Sequence, residues 1–345
     1  MANTYFAGGN TQEGFCGFFE DILGLGKRVR TYYVKGGPGV GKSSLMRRVA
    51  EALEQAGQEV ERFLCSGDPD SLDGISAPCL GLAMMDGTAP HVLDPRYPGA
   101  RDTLVSLGDC LDAPAMRPLL PEIRRLNDAI AGRYRQAYAY LAAAGRVLEG
   151  ATQAPEEQRT HRMAATLCES YLPLRGGMGA SRSLFADSLT HQGPISLIPT
   201  LARDTAVSLK LEFGQSADRL LRLLGEKARL RGLDVLELRD PLNPNALRHL
   251  YLPAHRLLFT SEAVPDAKET IPADALFQPQ AKSEHELVFD RNVYELLMVR
   301  ATEQLKAAKG LHDELEAHYA PHMDFLRWQQ MLDAILTELA LAPKP

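Results

Sequence analysis

At 345 residues, with 45% hydrophobic and 24% charged side chains, the chain has an ordinary globular composition and enough apolar mass for two domains. A net charge of -6 with no basic run argues against a nucleic-acid partner, and no apolar run approaches membrane-spanning length. Cys16, Cys65, Cys79, Cys110 and Cys168 are odd in number and lack metal-ligand spacing, which fits free thiols in a reducing cytoplasm.

The N-terminal MANTYFAGGNTQEG has neither a positive n-region nor an apolar h-region, so a cytoplasmic protein is expected. Tyr32, Tyr33 and Val34 predict a short strand. Directly after it, Gly36-Gly37-Pro38-Gly39-Val40-Gly41-Lys42-Ser43, continued by Ser44, fits G-x-x-x-x-G-K-[ST] at every fixed position. Glycines let successive backbone N–H groups turn inward around an anion, and the following helix adds its positive end. Lys42 can then reach β- and γ-phosphates, and the Ser43 hydroxyl can complete a Mg²⁺ shell. Leu45, Met46, Val49 and Leu53 follow at helical spacing, with Gly57 where a helix stops.

Residues 59–65 (EVERFLC) read as a buried strand leading into a turn with Asp68, Asp70 and Asp73. These carboxylates can hold a substrate hydroxyl or a Mg²⁺ water, and they suit turn and helix-cap chemistry as well. Residues 79–85 (CLGLAMM) read as a strand closed by Asp86, the pattern of a carboxylate that holds Mg²⁺ through water. A Pro- and Gly-rich loop over 87–101 offers His91 and Asp94 to position a water or acceptor. Arg96, and less so Arg101, can contact transferred phosphate. From Met116 to Leu172 the apolar period is helical, through Leu119, Ile123, Leu126, Ile130, Tyr134, Tyr138, Leu141 and Leu148.

A linker around 175–179 separates two halves that repeat each other. Shifted by 175 residues, residues 34–86 give eleven identities without a gap, among them Lys35/Lys210, Gly39/Gly214, Gly57/Gly232 and Leu72/Leu247. Composition alone gives roughly three or four, so this is an internal repeat. A shift of 179 extends it upstream, pairing Phe6, Ala7, Thr11 and Gly14 with Phe185, Ala186, Thr190 and Gly193. The second loop, 211–218 (LEFGQSAD), has Ala217 for the lysine and Asp218 for the hydroxyl, so it is expected to repel phosphate. A helical tail from Glu284, broken at Pro321 and resumed to Leu341, mirrors the first.

The loop at 36–43 resembles those of the P-loop NTPase superfamily, and the resemblance implies binding of ATP or GTP with Mg²⁺. Motor-like ATPases of the superfamily place a catalytic glutamate after the strand-end aspartate; Gly87 stands there, which implies slow hydrolysis. Through FAGGNTQEGF, KGGPGVGKSSLM, CSGDPDSLDG and DGTAPHVLDPRYPGA the whole chain resembles an uncharacterised bacterial family of tandem P-loop ATPase-like proteins. The expectation is thus α/β: two tandem P-loop-type parallel-sheet domains, 1–175 active and 176–345 degenerate, each with a helical-hairpin appendage. The expected function is a slow Mg-ATPase or nucleotide switch, with Lys42, Asp86, Asp68, His91 and Arg96 around the γ-phosphate. A kinase acting on a small molecule and a regulatory protein with a protein partner on the hairpins are the alternatives. No Asn-Lys-x-Asp guanine-reading motif occurs, so ATP is expected over GTP.

Overall fold

The computed structural model describes residues 3–24, 28–203, 205–279 and 282–340. In chain order the first half forms β1 (Thr4–Phe6), β2 (Gly8–Thr11), β3 (Gly14–Gly17), β4 (Arg30–Lys35) and α1 (Lys42–Gln55). There follow β5 (Glu61–Leu64), β6 (Leu72–Ala77), β7 (Leu82–Asp86), β8 (Asp102–Ser106), α2 (Ala113–Met116), α3 (Leu120–Ala151) and α4 (Glu157–Tyr171). The second half forms β9 (Ser181–Leu184), β10 (Asp187–Thr190), β11 (Gly193–Ser196), α5 (Ile198–Leu201), β12 (Thr205–Lys210) and α6 (Asp218–Leu230). It continues with β13 (Val235–Arg239), β14 (Leu247–Leu252), β15 (Leu257–Thr260), β16 (Glu269–Pro272), α7 (Glu284–Tyr319) and α8 (Phe325–Glu338). Leu341, to which the sequence extends the last helix, lies outside the described residues.

The fold is mixed α/β with two six-stranded sheets, ordered β1-β5-β6-β7-β4-β8 and β16-β12-β15-β14-β13-β9. The second order is the first read from its other edge, with each strand replaced by its repeat partner. β4 maps onto β12 and β6 onto β14 at the 175-residue offset, while β2 and β3 map onto β10 and β11 at 179. Even a left-handed residue recurs, Gly81 (φ 61°) in one half and Arg256 (φ 49°) in the other.

The sheets are mostly, not wholly, parallel. β6 runs antiparallel to β5 and β7, and β14 does so between β13 and β15. Connection length dictates this. Residues 65–71 and 78–81 are too short for a parallel crossover, which needs a dozen or more residues.

The compact units cut across the expected halves. One unit contains the chain up to Ala7, Gly17–Gln136 and everything from Glu303 on; the other contains Gly8–Cys16 and Ala137–Thr302, and so includes the expected boundary at 175/176. In the first unit, the apolar face of α1 (Leu45, Met46, Val49, Leu53) packs with Tyr32, Val34, Ile75 and Met84, joined by Met323, Leu332 and Ile335 from the second half's tail. In the other, Leu220, Leu221 and Leu224 of α6 pack with Val207, Leu250 and Phe259, joined by Ala164, Leu167 and Cys168 of α4. The helical tails are therefore exchanged: each completes the core built by the other half's sheet. Both long helices, α3 and α7, begin in one unit and end in the other. Among the described residues no helix is long and apolar enough to cross a membrane.

Candidate functional site: a glycine loop and buried carboxylates

β4 lies between β7 and β8, so the loop leaving its carboxyl end opens beside Asp86, the last residue of β7. Gly39 (φ 70°) and Gly41 (φ 79°) take the left-handed backbone that a side chain disfavours, which turns the chain into α1. α1 starts at Lys42 without a side-chain cap and without an acid in its first turn. The positive end of its dipole is thus not offset by a side chain of its own first turn. Lys42 Nζ donates to the carbonyls of Gly36 (3.1 Å) and Gly37 (2.8 Å) and stands 3.6 Å from Asp86 Oδ2. The Ser43 hydroxyl accepts from the Leu72 N–H at 2.9 Å, fixing the loop against β6.

The carboxylates sort clearly. Asp86 is 8% exposed and its Oδ1 accepts from the Thr88 N–H at 2.8 Å, while the Thr88 hydroxyl donates to the Gly36 carbonyl at 3.2 Å. Asp73, 3% exposed on β6, lies in the field of Asp86 and Lys42. Burial, and next the Asp86 charge, raise its carboxyl to about 7, although the Cys65 thiol donates to it. Its Oδ2 has no hydrogen-bond partner among the described residues. His91 stacks on Phe19 with ring centroids 4.3 Å apart, and its Nε2 is 3.9 Å from Asp73 Oδ1. Burial lowers the imidazole to about 4, so it is neutral at pH 7.

The remaining candidates are held elsewhere. Asp68 closes its own turn, accepting from Ser71, and has Lys309 Nζ 3.7 Å away. The Asp70 backbone carbonyl accepts from Arg47. Asp94 pairs with Lys35 and Arg96 with Glu20; these four differ from the Lys42 cluster in being bound into surface ion pairs. Asp94, Arg96, Arg28 and Tyr33 line a polar cleft of about 280 Å³. Arg101 pairs with Asp102 and covers the Tyr97 ring.

Asp102 organises the 87–101 loop. It accepts from the N–H groups of Arg96 (2.8 Å) and Tyr97 (2.9 Å) and from Arg101 Nε (2.7 Å), and Arg101 holds its carboxyl down at about 2. A carboxyl depressed in the folded state stabilises above its unfolded value near 4 and loses that contribution as pH falls towards 2. Asp102→Asn is expected to cost about 2–3 kcal/mol at pH 7 and to flatten the acid limb between about pH 4 and 2. Denaturant unfolding across that range checks both.

The sequence sets Asp73 in one turn with Asp68 and Asp70, and nothing in it singles out Thr88, Tyr319 or Trp328. The second half's tail covers the outside of the loop. A Cβ on Gly37 would meet the Tyr319 ring at 2.8 Å, and one on Gly41 the Trp328 indole nitrogen at 3.0 Å. Nothing local in the sequence marks either aromatic as a neighbour of residues 275 or more positions away.

The second loop is self-satisfied. Asp218 opens α6 and its Oδ1 accepts from the Leu247 N–H at 2.7 Å, repeating the Ser43–Leu72 bond with an anion in the hydroxyl's place. Arg248, 175 residues after Asp73, lies 3.1 Å from Asp187, 3.4 Å from Asp240 and 3.4 Å from Glu262. His249 is fully buried between Asp187 and Thr260, at 2.7 Å from each. No protein-family model, curated protein or solved structure matches the chain.

Proposed function

We propose that the chain binds Mg-ATP at residues 36–44 and acts as a slow ATPase or nucleotide-dependent switch. The observation that carries the reading is the convergence of Lys42 at an uncapped helix start with Asp86 at the end of the neighbouring strand, 3.6 Å apart. The residues suit the ligand. Free helix N–H groups and an ammonium match phosphate oxygens, while Asp86 and the Ser43 hydroxyl are the hard oxygen donors Mg²⁺ prefers. Asp86 and the Ser43 hydroxyl would hold Mg²⁺, whose charge would offset that developing on the phosphate.

On this reading Lys42 leaves the carbonyls of Gly36 and Gly37 and turns its charge to the γ-phosphate. Thr88 and the Asp86 carboxylate stay fixed by their mutual turn, which keeps the acid pointed at the loop. With Gly87 following Asp86, no carboxylate sits directly after it to activate water, consistent with slow turnover. His91, neutral and near Asp73, favours a second reading, a kinase-like transfer in which the imidazole accepts a proton from an acceptor hydroxyl.

Product analysis of purified protein with Mg-ATP, beside Lys42→Ala and with or without a small-metabolite pool, separates the readings. ADP and free phosphate without metabolites, lost in the variant, establish the ATPase. ADP formed only with the pool establishes transfer. Bound but intact nucleotide in every mixture leaves the switch. Equal behaviour of wild type and Lys42→Ala overturns the proposal.

A further inference from the structure

We propose that Asp73 is a direct ligand of a divalent cation that it shares with Asp86, so that the site holds metal without nucleotide. The inference deepens the nucleotide reading and rests on it for the place of Asp86 and for Mg²⁺ as the resident ion.

Both carboxylates are almost fully buried, at 3% and 8% exposure, and each directly flanks the antiparallel Gly74–Met85 pair that joins β6 to β7. Two acids brought together away from water either hold a proton between them or hold a cation. Lys42 cannot serve both. An ammonium has three N–H donors. Two go to the carbonyls of Gly36 and Gly37, and the third faces Asp86. Asp73 Oδ2 is left with no donor at all among the described residues. A buried oxygen without a partner costs on the order of 1–3 kcal/mol, more when charged, so its retention points to a ligand.

The repeat supplies an independent comparison. At the position of Asp73 the second half has Arg248, a cation ringed by Asp187, Asp240 and Glu262 at 3.1–3.4 Å. Asp240 itself stands 175 residues after Cys65, another neighbour of Asp73. The half that lost its lysine thus carries its own positive charge at this place in the fold. The half that kept its lysine has carboxylates there and needs the positive charge from outside. The nearby donors are the oxygens of Asp73, Asp86 and Ser43, with the neutral His91 imidazole 3.9 Å from Asp73, and Cys65 donates its thiol hydrogen rather than ligating. An oxygen-rich set of this kind suits Mg²⁺ or Mn²⁺.

The test is Mn²⁺ binding to the metal-stripped full chain without nucleotide, followed by electron paramagnetic resonance of the free ion, with Mg²⁺ as competitor. Wild type is expected to bind one Mn²⁺ that Mg²⁺ displaces and that raises Tm. Asp73→Asn should weaken that affinity at least 10-fold. Lys42→Ala, relieved of a competing cation, should bind Mn²⁺ at least as tightly as wild type. Wild type with no Mn²⁺ site, or Asp73→Asn with unchanged affinity, overturns the proposal. Because the readout needs no nucleotide, failure of ATP to bind a protein that holds Mn²⁺ would count against the nucleotide reading alone. If Asp73→Asn does not fold, Asp73→Ser in the same titration decides the matter.

Discussion

Lys42→Ala is expected to bind Mg-ATP roughly 10- to 150-fold more weakly than wild type while unfolding at nearly the same denaturant concentration. The affinity loss follows from removing charge-assisted contacts worth about 1.5–3 kcal/mol. The small stability change follows from what Lys42 does without ligand. Its bonds to Gly36 and Gly37 are part-buried carbonyl contacts, and its approach to Asp86 is 3.6 Å, too long for a strong hydrogen bond. Competition against a fluorescent nucleotide, paired with urea unfolding, reads both quantities. A variant that loses affinity only in proportion to lost fold would show Lys42 to be structural.

Gly214→Ala is expected to have the opposite profile, a cost of about 3–4 kcal/mol in stability with ATP affinity unchanged wherever the protein remains folded. Gly214 has φ 83°, and a Cβ there would lie 2.2 Å from the Ala151 carbonyl oxygen. The end of α3 cannot retreat cheaply, because the Gln153 N–H donates to the Gly214 carbonyl at 2.8 Å. Left-handed strain of about 1–2 kcal/mol therefore adds to a displaced backbone. This explains why a loop that has lost its lysine still has this glycine: the position serves packing. Equilibrium denaturation of the two proteins checks the prediction, and a change below about 1 kcal/mol would contradict it.

Much of the architecture is legible in the sequence because period and punctuation are local. The β4–loop–α1 unit, β7 closed by Asp86 and the helical tails all follow from apolar spacing, glycines and the break at Pro321. The duplication is legible because eleven identities survive at one offset, and the two sheets keep the same strand order. β6 is not. Its LDGISA carries an aspartate and a glycine, both poor strand formers, and only its place between β5 and β7 makes it a strand. The same burial gives Asp73 an importance that its turn-like neighbours conceal. The tail exchange is invisible for a different reason: periodicity states which face of α4 or α8 is buried, not which sheet buries it. Arg96, chosen for matching phosphate, is met by Glu20, 76 residues earlier, a pairing that only tertiary structure creates.

The central claim is that one of the two repeated loops binds nucleotide. Calorimetric titration of Mg-ATP into wild type and Lys42→Ala tests it most directly. A stoichiometry of one nucleotide per chain, lost or weakened at least 10-fold in the variant, is the expected result. No heat of binding in wild type, two sites per chain, or the same affinity in both proteins would contradict the account.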